Sequence, residues 1–258
     1  MITLRAYNRG FSLLSILIAT AIGIFIMGVA GKIYVDTSTT FRARSSLSAV
    51  AENGRFALQD LRRTLIMVGR NIGANEDEVG AARPFAPVTA DGTVDGGASG
   101  SDIVAVRYRT GPSCAGNLDI PNTDPPATIR FLVTDDELQC QIDDDPPITV
   151  VSGIRLMKVL YGVDDTADGS ADRYLTADVV DALPPPAGRT HPWVNVVALR
   201  IGLVTTSEET EVPGTLRGST GTLDVLGMPF TPADDSKFYK VATATISLRN
   251  LNTIMQRQ

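Results

Sequence analysis

The chain has 258 residues, 43% hydrophobic and 6% aromatic, with 20% charged side chains and a formal net charge of −6. This composition excludes a disordered chain and fits one folded domain plus an anchor, or two small domains. The basic residues do not cluster beyond the head, which weighs against a non-specific nucleic-acid binder.

The first element is apolar. Arg5 and Arg9 precede it, no residue from Phe11 to Gly31 is charged, and Lys32 ends the run. About 21 uncharged residues match the roughly 20 that span a bilayer as a helix. They exceed the core of a cleaved secretory signal, which is about 7–15 residues. The positive-inside bias keeps the arginines in the cytoplasm and sends the rest across. The reading is a retained, single-pass transmembrane helix.

The helical pattern continues beyond the membrane. Leu47, Val50, Gly54, Leu58, Leu61, Leu65 and Val68 step by three or four residues and mark one amphipathic face. Asp60 and Arg63 are placed on its solvent side as a weak supporting pair. No proline occurs before Pro84, and Gly69 and Gly73 are the stop signals. The predicted helix runs from Phe11 to about Met67. That is about 55 residues, or roughly 80 Å.

Residues 71–101 turn rich in Gly, Asp and Pro without a period and read as a surface connection. Strand-like runs follow at Ile103–Arg109, Thr128–Thr134, Ile148–Val151, Ile154–Val163, Val194–Thr206 and Phe238–Arg249. The last two are long enough to form a sheet centre. One long helix followed by strands gives an α+β fold, with the amphipathic half of the helix across an antiparallel sheet.

Cys114 and Cys140 are too widely spaced for a CxxC redox pair, and no histidine lies near them to complete a zinc set. In an exported body they form one disulfide. It would close a loop of about 27 residues and contribute about 3 kcal/mol by the chain-entropy account.

The body offers little catalytic chemistry. No P-loop, GxSxG, HExxH or GxGxxG motif is present. The single histidine, His191 in RTHPW, reads as a structural or solvated loop residue, and Trp193 as the anchor of a strand start. Asp143, Asp144 and Asp145 read as a solvated hairpin end. The stretch 164–172 is a weak calcium candidate. Asp164, Thr166, Asp168 and Asp172, with Gly169, copy ligand positions 1, 3, 5 and 9 and the glycine of an EF-hand loop. Leu175 stands where the bidentate Glu belongs, so a ligand such as Asp178 would be needed, and a plain Asp/Gly-rich turn is the favoured reading.

Four blocks carry a family resemblance. RGFSLLSILIATAIG resembles the class III signal of type IV pilins and type II secretion pseudopilins. AENGRFALQDLRRTLIMVGR (51–70), LYGVDDTADGSADRY (160–174) and VATATISLRN (241–250) resemble PilW-type minor pilins. The resemblance implies a type IV pilin-like fold. It implies a leader, 1–10, that a prepilin peptidase cuts after Gly10, with methylation of the new N-terminus at Phe11. It then divides the chain into a transmembrane and filament-core helix, 11–35, an amphipathic half, 36–70, and a β-rich periplasmic or extracellular domain, 71–258. The implied function is that of a minor pilin in a priming or tip complex for type IV pilus assembly. It involves no enzymatic activity and no cofactor. The implied partners are other minor pilins, the major pilin and the inner-membrane assembly platform, with a separate motor ATPase. The chain would sit first in the inner membrane, then in a filament linked to adhesion and twitching motility. Ser15 departs from the family, which usually has Glu at that position. A buried carboxylate is costly unless paired, and a serine cannot supply its charge. The departure reads either as drift or as a subunit at the tip. The alternatives are a minor pseudopilin of a type II secretion system and an adhesin or binding module displayed on the anchor.

Overall fold

The computed structural model describes residues 12–72, 83–86, 88–89, 92–97, 100–114, 116, 119–207, 221–233 and 237–251. Contacts divide the chain into an N-terminal unit, Met1–Ser45, and a body, Ser46–Gln258. The described part of the first unit is helical from Leu13 onward and belongs to α1, Leu13–Leu65, one uninterrupted 53-residue helix. Ser12 starts it, its Oγ accepting the Leu14 N–H at 3.3 Å, as an N-cap side chain does.

The body holds the rest of α1 and two four-stranded antiparallel sheets. The first contains β1 (Val104–Tyr108), β4 (Ala127–Thr134), β5 (Glu137–Ile142) and β6 (Ile148–Ser152), in that order. A small ribbon, β2 (Gly111–Pro112) with β3 (Asp119–Ile120), lies between β1 and β4 in sequence. The second sheet has the order β12-β9-β7-β8 and contains β7 (Ile154–Val163), β8 (Arg173–Leu175), β9 (Val196–Thr206) and β12 (Tyr239–Ser247). A short helix, α2 (Ala177–Asp181), and a 3₁₀ turn, Pro192–Asn195, connect β8 to β9. A hairpin of β10 (Leu223–Val225) and β11 (Met228–Phe230) precedes β12. The architecture is α+β. The expected pair of central strands is corrected: β7 and β9 form the centre, and β12 is an edge.

The sequence list of strands misses β5, which pairs with β4 from Thr134↔Glu137 to Ile129↔Ile142. The turn between them, Asp135-Asp136, has φ of +53° and +59°. Two consecutive left-handed residues form the tight hairpin turn whose twist suits the flanking strands, and Asp tolerates that backbone.

The amphipathic stripe is buried in a shifted register. Val50, Ala57, Leu61, Leu65 and Val68 are at most 1% exposed, whereas Leu47 is 44% exposed, so body packing starts one turn later than predicted. Asp60 is half-buried rather than on a solvent face. Gly54 shows how closely the helix lies on the second sheet. A Cβ there would be 3.1 Å from Thr205 Cγ2 on β9 and 3.2 Å from Ala242 Cβ on β12. This close approach justifies a residue that costs a helix interior about 1 kcal/mol relative to Ala.

Gly69, at φ +74°, ends the helical run as predicted, its N–H donating to the Arg107 carbonyl at 3.0 Å. Asn250, from the far end of the chain, donates through Nδ2 to the carbonyls of Ile66 (3.0 Å) and Val68 (3.2 Å). Last-turn carbonyls have no helical partner, so the C-terminal segment completes the helix end.

The disulfide forms between Cys114 and Cys140, with Cα atoms 6.2 Å apart, and links the loop after β2 to β5. A buried ion pair fastens the two sheets. Lys158, on β7 and fully buried, donates to Asp102 Oδ1 at 2.9 Å and to the Gly97 carbonyl. Asp102 stands just before β1. It also accepts the Gly96 N–H on Oδ1 (2.9 Å) and the Val159 N–H on Oδ2 (2.8 Å). Burial raises its carboxyl, and the bonds from Lys158, Val159 and Gly96 pull it back.

Two predictions follow from this packing, both read by denaturant unfolding of the full chain in detergent. Leu61→Ala costs about 2–5 kcal/mol, while Leu47→Ala stays within about 0.5 kcal/mol; equal losses would place the helix face wrongly. Asp102→Ala strands the Lys158 ammonium and costs about 3–5 kcal/mol.

Candidate functional site: the exposed apolar helix

From Leu13 to Gly31 α1 carries no charged residue and is apolar on every side. Leu13 is 81% exposed, Phe25 72%, Met27 77% and Tyr34 75%. Soluble monomers rarely expose contiguous apolar surface of this extent. By length and composition α1 is the one helix among the described residues able to cross a membrane. Its most apolar 18-residue window has a mean hydropathy of 2.5 and no buried residue. A helix keeps its backbone polar groups satisfied internally, which is what a lipid interior demands. Thr20 returns its hydroxyl to the Leu17 carbonyl at 2.9 Å, so its polar atom is also held within the helix. Ser15 lies in the first turns of α1 and is exposed. Gly10 and Phe11 lie outside the described residues.

The other residues singled out by sequence are body features. Asp164 is buried and serves as the acceptor of its own loop. Its Oδ1 takes the N–H groups of Thr166 (3.1 Å), Ala167 (2.7 Å) and Asp168 (3.3 Å), and its Oδ2 that of Gly169 (2.8 Å). Asp172 Oδ2 accepts from the backbone of Asp165 (2.7 Å) and Thr166 (3.1 Å), and Asp168 Oδ1 from Ser170 (2.7 Å). These carboxylates fold the loop onto the end of β7. Among the described residues no three His, Cys, Asp or Glu side chains form a group suited to a metal ion. Asp178 sits exposed in the first turn of α2.

His191 is buried at the start of the 3₁₀ turn. Trp193 is buried just before β9, against Phe85 and Tyr161 at centroid distances of 5.4 and 4.9 Å, and donates through Nε1 to Asp181 at 2.9 Å. Asp143, the first of the acidic run, accepts the Thr128 N–H at 2.7 Å beyond the end of β5. The sequence reading missed Asp102 and Lys158. Their available signal was a single lysine in the otherwise apolar strand around LMKVL.

The Asp164 loop makes a direct prediction. Asp164→Ala, which leaves the N–H groups of Ala167, Asp168 and Gly169 without their acceptor, lowers stability by about 2 kcal/mol. Asp168→Ala, at an exposed position, stays within about 0.5 kcal/mol. Thermal unfolding of the two variants compares them.

No curated protein matches the chain. Among solved structures, a type IV-like pilin from Thermus thermophilus is similar at 14% identity with a TM-score of 0.44, covering 81% of this chain and 98% of that one. The family model described as type IV pilus-assembly protein W matches residues 127–250. That range contains two of the blocks noted in the sequence, 160–174 and 241–250, and excludes the block at 51–70. Over residues 127–250, just under half of its length, the chain is similar to this pilus-assembly family.

Proposed function

We propose that the protein is a minor pilin acting in type IV pilus assembly, in the priming or tip complex, by lateral packing of its apolar helix. The observation that carries the reading is a helix exposed on all sides from Leu13 to Val35, joined to a body that matches a pilus-assembly family. The apolar segment sits first in the inner membrane, with the body on the periplasmic side. It then exchanges lipid for the equivalent helices of other minor pilins and the major pilin, while the bodies form the outer shell. Small residues such as Gly23 and Gly28, beside which nothing else of the described chain lies within reach, let neighbouring helices approach closely. The chain does no covalent chemistry of its own. It is a substrate of the prepilin peptidase at Gly10-Phe11, it needs no cofactor, and the assembly platform and its motor supply the work.

Ser15 fits a subunit that need not dock beneath another, because it brings no carboxylate into lipid. Ser15→Glu therefore changes the subunit's position or its assembly with partners. Unchanged behaviour in a pilus fractionation would assign the serine to drift.

Gly10 gives the sharper test. Replacing it with a bulky residue keeps the unprocessed mass on intact-protein mass spectrometry and abolishes piliation; normal pili in that strain would contradict the proposal.

A further inference from the structure

Among the described residues the body leaves few large apolar side chains in water, and two of them line one groove. Phe56, on α1, is 55% exposed, and Ile148, at the start of β6, is 41% exposed. Both line a groove of about 550 Å³ whose walls also include Asp60, Cys114 and residues 149–152 of β6.

Two features restrict what fits this groove. It runs along β6, the last strand of its sheet, which among the described residues pairs with β5 alone. An unpaired strand edge is a template for another extended backbone, which proteins blunt with charge or proline or cover with another element. The strand itself, ITVVS, carries no charge and no proline. From α1, Asn53 donates through Nδ2 to the Ser152 carbonyl at 3.3 Å, at the end of the strand.

The second feature is charge. Asp60 stands in the wall beside Phe56. Burial raises its carboxyl above the ordinary carboxylate range, and Arg63 draws it back only in part. Arg63 gives one of its own N–H groups to the Ser113 carbonyl at 3.1 Å. A partly desolvated carboxylate favours an incoming cation and disfavours an anion.

We propose that this groove takes an extended segment of another subunit of the same assembly. The segment adds as a fifth strand on the β6 edge, with an apolar side chain between Phe56 and Ile148 and an Arg or Lys directed at Asp60. Main-chain hydrogen bonds supply the affinity of such an addition, and the alternate side chains its specificity. That the strand comes from an assembly subunit rests on the function proposed above. Its extended form and the sign of its charge rest on the groove.

The test places photoreactive benzoylphenylalanine at Ile148 of the full chain, in cells that build the assembly. Val179, exposed on α2, is the comparison site. The expected product at 148 maps by mass spectrometry to an extended, Lys- or Arg-containing segment of another subunit. Its yield falls several-fold with Asp60→Asn and with Phe56→Ala. A product no stronger than at Val179, or one that maps to lipid, to the same chain or to an acidic segment, overturns the proposal. Leader processing and membrane fractionation are read on the same samples. A failure of the proposed function therefore shows there, separately from a failure of the groove.

Discussion

One helix has to satisfy two surroundings, and the rest of the structure follows from how it does so. From Leu13 to Val35 α1 presents Leu, Ile, Phe and Met side chains outward on all faces. From Val50 onward it presents a stripe that its own body covers. Burying that second stripe stabilises the body by roughly 1.5–3 kcal/mol for each large side chain. Nothing among the described residues offers the first stretch comparable cover. Exposed apolar surface of this extent is unfavourable in water and is better accommodated by lipid or by other helices. The proposed function is an answer to this constraint, because it gives the same surface a bilayer before assembly and neighbouring helices after it.

The body is built to hold the covered half of the helix firmly. Gly54 lets α1 lie close against β9 and β12, and Asn250 completes the helix end from the last described segment of the chain. The disulfide ties the loop after β2 to β5 of the first sheet, while the Asp102–Lys158 pair joins the segment before β1 to β7 of the second. Breaking a buried pair costs more than the pair contributes relative to an apolar replacement. The pair therefore constrains which arrangement of the sheets is tolerated more than it adds stability.

Much of this was legible in the residues. The uncharged run, the proline-free continuation and the 3.6-residue stripe place α1 within two residues at each end. The Val- and Ile-rich runs place β1, β4, β6, β7, β9 and β12, because β-branched residues suit a pleated, half-buried surface. β5 escaped because ELQCQI buries only Leu138 and Cys140 deeply and is otherwise largely Gln, a weak strand signal, between two acidic stretches. Leu47 misled because periodicity records which face is apolar and not where the covering sheet begins. Asp102 and Lys158 carry no sequence spacing that joins them; they meet where the Asp102 N–H donates to the Met157 carbonyl at 2.8 Å. The acidic stretch 164–172 has metal-ligand spacing, and its carboxylates accept backbone N–H groups of their own loop, contacts that spacing alone does not show.

The central claim is that the apolar half of α1 requires a membrane or a helix bundle. Alkaline extraction of membranes from cells producing the full chain tests it most directly. The account predicts that the chain stays with the membrane pellet, and that a chain starting at residue 36 is released. Release of the full chain into the soluble fraction would contradict it.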